Sequence, residues 1–188
     1  MKNVLMVISG PSGVGKGTIV KALLKKRADV VESISCTTRA AREGEKHGRE
    51  YFFLTKDEFL RRVDEGDFLE YDEHFGNYYG TPKSFVKEQL KEKSVVLEID
   101  VVGGLNAKKY FPETALIMIV PPSREELKSR LIGRGTETDE EIEKRMERIE
   151  YELSKGKDYD YAVVNDTVEN AVRAIEEIIE KEKTSKGE

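Results

Sequence analysis

Residues 9–18 read SGPSGVGKGT, and Gly10, Gly15 and Lys16 carry the spacing G-x-x-x-x-G-K of a phosphate-binding loop. Glycines let successive backbone N–H groups turn toward one anion. A helix opening after the loop adds the positive end of its dipole, and a lysine adds a point charge. The usual pattern places Ser or Thr directly after the lysine, but here Gly17 stands there and Thr18 follows one place late. The spacing makes Gly10, Pro11, Ser12, Gly13, Val14, Gly15, Lys16, Gly17 and Thr18 the candidate nucleotide-phosphate cradle. Thr18 is the candidate Mg²⁺ ligand, directly or through water.

A second group of chemistry-bearing residues lies in SCTTRAAREGEKHGREYFFL, Ser35–Leu54. Arg39, Arg42 and Arg49 concentrate there in a chain of net charge -5. A guanidinium matches a phosphate with two parallel donors. Arg39 and Arg42 are three apart, so a compact loop can aim both at one anion, and Tyr51 can add a hydroxyl. Glu43, Glu45 and Glu50 interleave with them, so the charge pattern alone fits a solvated, ion-paired loop equally well. Glu70, taken alone, reads as a surface carboxylate beside a hairpin. Glu98 and Asp100 end an apolar run, where an open parallel sheet borders its ligand crevice; an acidic strand cap is the alternative. RLIGRG (Arg130–Gly135) and Arg145 supply further arginines, although Arg145 also has an i, i+4 partner in Glu141. His47 and His74, the two histidines, have no assigned role.

These residues need elements to hold them. Asn3–Ser9, Val30–Ser35, Ser94–Asp100, Thr114–Val120 and Tyr161–Asn165 read as buried strands. After the loop, Ile19, Val20, Leu23 and Leu24 share a helical face, and so do Val168, Val172, Ile175 and Ile179 in a helix over Val168–Lys183. Thr55, Ser123 and Thr138 each precede a Glu at capping-box spacing, and Thr81-Pro82 reads as a cap with Pro in the first turn. Strands alternating with helices predict an α/β fold, a five-stranded parallel sheet flanked by helices. Two segments break the rhythm. From Cys36 to Gly80 the chain is polar and aromatic, with a hairpin at FGNYYG (Phe75–Gly80), and reads as an inserted mixed β/α subdomain. From Ser123 to Arg148 it is helical and doubly charged, and reads as a lid.

The 188 residues suffice for one domain with a sizeable core. The acidic balance argues against a general nucleic-acid surface, and the lone Cys36 excludes an internal disulfide and fits a reducing cytoplasm. No secretory leader and no membrane-spanning run is expected from the apolar pattern. Abundant Lys and Glu, with Gln89 the one glutamine, match the bias of heat-adapted proteins.

The loop's G-P-S-G-V-G-K-G-T form resembles the adenylate-kinase variant, in which phosphate binding needs no hydroxyl directly after the lysine. TTRAAREGEKHGREYFFL is similar to the guanylate-kinase signature through Thr37, Thr38, Arg39, Arg42, Glu45, Gly48, Tyr51, Phe53 and Leu54. The similarity continues through FLEYDEHFGNYYGT, VVLEID, PPSREELKSRLIGRGTET and YAVVND, over nearly the whole chain. It implies a P-loop nucleoside monophosphate kinase moving the γ-phosphoryl of ATP to GMP with Mg²⁺, with dGMP as an alternative acceptor. It divides the chain into a core of 1–34, 85–122 and 149–188, a GMP-binding subdomain of 35–84 and a lid of 123–148. By the resemblance Arg39, Arg42, Tyr51 and Tyr79 hold the GMP phosphate, while Ser35, Glu70 and Thr81 read the guanine. Asp100 matches the family's acidic position near substrate or Mg²⁺; Glu98 stands where the family usually has Asp. Lys16, Arg39, Arg134 and Arg145 neutralise the transferring group, and Arg130 and Asn165 flank the adenine. The rival readings are a kinase for AMP or UMP, and a non-catalytic binding module of the same fold.

Overall fold

The structure is a computed structural model and describes residues 2–74, 76–123, 125, 147 and 149–185. Its central sheet is five parallel strands: β1 (Leu5–Ser9), β2 (Val30–Glu32), β7 (Ser94–Glu98), β8 (Ala115–Val120) and β9 (Tyr161–Val164). They lie in the order β2-β7-β1-β8-β9. Residues of β1 alternate between two cores. Met6 and Ile8 face α1 (Lys16–Lys26) and the C-terminal helix α5 (Val168–Ser185), together with Ile19, Val20, Leu23, Val172, Ile175 and Ile179. Leu5 and Val7 face the opposite layer, with Val86 of α3 (Lys83–Gln89) and Ala107 of α4 (Val101–Tyr110). Both faces are therefore covered, as a parallel sheet requires.

The segment between β2 and β7 builds a second, four-stranded sheet. It orders β4 (Phe52–Phe53), β3 (Cys36–Thr37), β6 (Asn77–Pro82) and β5 (Phe68–His74), with β3 parallel to β4 and antiparallel to β6. Its own core is aromatic. Phe59 of α2 (Lys56–Asp64) is fully buried, stacked on Phe68 at 4.4 Å and on Tyr78 at 5.4 Å. Thr55 and Glu58 form the expected capping box at the start of α2. The boxes expected at Ser123 and Thr138 involve residues outside those described, as does the expected lid over 123–148 for most of its length.

Element ends differ from the sequence pattern where polar chemistry intervenes. The third expected strand, to Asp100, stops at Glu98, because the Asp100 carboxylate accepts from the Gly103 N–H at 2.7 Å and caps α4. The second stops at Glu32, and 33–35 cross from one sheet to the other. Thr81 is not a helix cap. Pro82 holds the N-cap position without a side-chain bond, Lys83 and Ser84 donate backbone N–H groups to Asp67, and the Thr81 hydroxyl turns to Glu70. Among the described residues no helix is long and apolar enough to cross a membrane.

Phe59→Ala removes the centre of the aromatic cluster and is expected to cost about 3–5 kcal/mol of stability, read as a lowered midpoint in chemical denaturation.

Candidate functional site

The loop after β1 is fixed by close packing. A Cβ added at Gly10 would lie 2.5 Å from the Ile119 carbonyl oxygen of β8. Gly15 caps α1 in the left-handed region at φ 99°, where a side chain would also stand 2.7 Å from the Asn165 amide nitrogen. That amide donates to the Val14 carbonyl at 2.7 Å, and the Asn165 backbone N–H bonds Val120. Asn165 thus ties the ends of β8 and β9 to the loop. Lys16 folds back over the loop and donates to the Gly10 carbonyl at 2.5 Å. Burial lowers its pKa, against the opposing pull of Glu98, Glu152 and Asp100. A bound phosphate would supply the close counter-charge that burial withholds from the ammonium.

Glu98 stands beside this loop. A Cβ at Gly17 would meet its carboxylate oxygens at 3.4 and 3.5 Å. Burial raises the Glu98 carboxyl above its ordinary range, while Lys16 and Lys21 act in the other direction. Thr18 is exposed on α1. A carboxylate and a hydroxyl next to a phosphate loop are hard oxygen donors, the set that suits Mg²⁺ bound jointly with substrate phosphates. Among the described residues no group of three or more His, Cys, Asp or Glu gathers as a protein-only metal site.

From Glu98 a polar cleft of about 230 Å³ runs toward the second sheet, lined also by Ser35, Tyr51 and Thr81. On its far side the predicted phosphate-binding residues converge. The Arg39 guanidinium lies 5.5 Å from the Tyr51 ring centre and 5.9 Å from that of Phe53. It donates to Glu45 at 2.9 Å and also hydrogen-bonds Tyr79, whose ring meets Tyr51 edge-on at 6.1 Å. Glu45 uses its other oxygen to accept the Arg42 backbone N–H at 2.8 Å. Sequence reasoning took Glu45 as a letter of the signature and as one of three acids interleaved with the arginines; in the fold it holds the Arg39 guanidinium and the Arg42 backbone. The Arg42 side chain is exposed and does not join the Arg39 cluster through any hydrogen bond seen among the described residues. Arg49 instead pairs with Glu50 and the Gly44 carbonyl.

Glu70 sits at the other end. β6 alternates, so Tyr79 and Thr81 share one face while Tyr78 and Gly80 turn to the aromatic core. A register irregularity in β5 between Phe68 and Tyr71 places the Phe68 ring and the Tyr71 Cβ on the same side of the strand, both over Gly80, with Leu69 and Glu70 between them. Glu70 accepts from Thr81 at 2.6 Å and packs on Gly103 at the start of α4, close to Asp100. Burial raises its pKa, the Thr81 hydroxyl opposes the rise, and the charge of Asp100 adds to it.

The sequence matches the family described as guanylate kinase over residues 2–182. The chain belongs to the guanylate kinase family. It is 54% identical to a guanylate kinase of Clostridium perfringens over 97% of this chain and 85% of that protein. It is 51% identical to one from Caldanaerobacter subterraneus subsp. tengcongensis, over 97% and 89%. The crystal structure of guanylate kinase from Anaplasma phagocytophilum superposes with a TM-score of 0.74 at 36% identity, covering 96% of this chain and 86% of that one. The five-stranded P-loop kinase sheet carries a separate mixed sheet, and Glu98 of the first lines one cleft with Thr81 of the second and with Tyr51, which precedes β4. Arg130, Arg134 and Arg145, assigned to the nucleotide by resemblance, lie outside the described residues.

Ionising Glu70 in the folded, ligand-free protein is opposed by burial, because its folded pKa lies above the unfolded value. That penalty is absent below the unfolded pKa of about 4.3 and grows as pH rises through the folded value. Glu70→Gln is therefore expected to raise the ligand-free Tm at pH 7–8 and leave it unchanged near pH 4, read by calorimetry across that range.

Proposed function

We infer that the protein is an ATP:GMP phosphotransferase, moving the γ-phosphoryl group of ATP to GMP and releasing ADP and GDP. The observation that carries this reading is the position of Glu98. It touches the Gly17 position of the ATP loop and lines the same cleft as Ser35, Tyr51 and Thr81. One carboxylate thus borders both halves of a two-nucleotide site.

On the acceptor side, guanine presents N1–H and its 2-amino group as adjacent donors, and an ionised Glu70 can accept both. Ser35 and Thr81 supply the hydroxyls around it. Asp100, holding the N-terminus of α4 against Glu70, belongs to the same wall. Arg39, Tyr51 and Tyr79 form a preorganised anion clamp for the GMP phosphate, and Arg42 joins it by moving in from solvent. On the donor side Gly10–Thr18 and Lys16 hold the ATP phosphates, with Asn165 bracing the loop. Residues 123–148 act as the lid, Arg134 and Arg145 meet the transferring group, and Arg130 flanks the adenine.

A phosphate oxygen of GMP attacks the γ-phosphorus in line. The new O–P bond forms as the bond to the β–γ bridging oxygen breaks, and ADP leaves with that electron pair. The nucleophile is already anionic, so no strong base is required. Rate enhancement comes from positioning and from charge neutralisation by Lys16 and the arginines. Glu98 and Thr18 would hold Mg²⁺ bound with ATP, directly or through water, and the ion would supply neutralisation of phosphate charge there. Closing the cleft excludes water and suppresses ATP hydrolysis. dGMP fits the same contacts, since none of them reads the 2′-hydroxyl. A buried, unpaired Cys36 thiol suits a reducing cytoplasm.

Initial-rate assays with GMP, AMP and UMP are expected to favour GMP by roughly 10⁴-fold; comparable rates with AMP overturn the assignment. Glu70→Gln is expected to lose this discrimination while ATP affinity holds. Lys16→Ala is expected to lower kcat by about 10²-fold or more; a normal GMP turnover by that variant contradicts the mechanism.

A further inference from the structure

Tyr159 stands on the short connection that leads into β9 and is assigned to neither nucleotide, yet its hydroxyl enters the centre of the fold. It donates to the Ser9 hydroxyl at 2.8 Å and stands 3.1 Å from the Val101 carbonyl. Ser9, fully buried at the end of β1, passes the bond on to the Ile99 carbonyl at 2.8 Å and lies 3.1 Å from that of Asp100. The passage for the ring is kept open by Gly104, where a Cβ would sit 2.2 Å from the Tyr159 hydroxyl oxygen. Burial pushes the phenol up to about 12, so it remains a donor at all ordinary pH values.

The segments joined by this relay are those that end in the two half-sites. Ser9 immediately precedes Gly10 of the phosphate loop. Ile99, Asp100 and Val101 form the junction that caps α4, and α4 presents Gly103 to Glu70. We propose that Tyr159 is a positioning residue that couples the ATP loop to the guanine-reading wall, so that occupation of one nucleotide site tightens the other. The physical reason is that neither backbone segment can shift without stretching a shared buried hydroxyl relay. Packing around it holds two hydroxyl oxygens and three carbonyls linked by contacts of 3.1 Å or less, Ser9 among them fully buried, so a lost bond is poorly replaced. Binding at either site that fixes its own segment then removes part of the ordering cost at the other.

The inference rests on the two-nucleotide reading, and the test separates the two. ADP and GMP form a complex that cannot react, so GMP affinity is measured by titration calorimetry with and without saturating ADP. In the unaltered protein ADP is expected to tighten GMP by about fivefold or more. In Tyr159→Phe, which keeps the ring in place, that ratio is expected to fall to near one, with each nucleotide bound alone within about threefold of its original affinity. Ser9→Ala, which removes the middle of the relay, is expected to do the same. A Tyr159→Phe or Ser9→Ala protein that keeps the original ratio, whatever its change in Tm, overturns the coupling role, as does an unaltered protein that shows no ADP effect. Failure of the unaltered protein to bind GMP at all overturns the two-nucleotide reading instead.

Discussion

The turn that leads from β1 into α1 has no room for a side chain at Gly10 or Gly15, and the rest of the site is arranged around that fact. On one side stands the Ile119 carbonyl, on the other the Asn165 amide. The chain accepts this closeness because backbone atoms alone can approach there, and the same closeness leaves N–H groups exposed to an anion. Three parallel strands meet at the turn, β1 supplying it, β8 blocking it and β9 bracing it through Asn165. The phosphate loop is therefore a property of the whole sheet edge rather than of nine residues.

The second sheet serves a different purpose. Its core is small and aromatic, anchored on Phe59, and holds few branched aliphatic chains. Onto it is fastened a guanidinium already oriented by a carboxylate, two tyrosines and a phenylalanine. An arginine ordered before binding loses less freedom when a phosphate arrives.

Lys16 and Glu70 carry opposite charges, yet burial disfavours the charged form of both. Each costs the folded protein stability when ionised, and an anion beside the ammonium or hydrogen-bond donors on the carboxylate would offset that cost.

Much of this was legible in the chain. Short, continuous apolar runs located the five core strands, glycine spacing located the phosphate loop, and the Thr55–Glu58 box located a helix start. Each of these is a local pattern with a local cause. Strand ends were less legible, because Asp100 prefers to cap a helix and Thr81 prefers a carboxylate partner, choices settled by residues elsewhere in the chain. Composition alone left Arg39 undecided between a solvated loop and an anion clamp; the fold pairs it with Glu45 and sets it beside Tyr51, Phe53 and Tyr79, neighbours that charge pattern does not reveal. The hydroxyl of Tyr159 gave no sequence signal at all, since its partner Ser9 is 150 residues away. What the sequence determined by itself was the inventory: a phosphate loop, arginines, and a carboxylate at 70. What only the tertiary structure decided was aim. β5 shifts register between Phe68 and Tyr71, and within that stretch Glu70 accepts from Thr81 and packs on Gly103 of α4, partners that lie far from it in the chain and leave no local pattern.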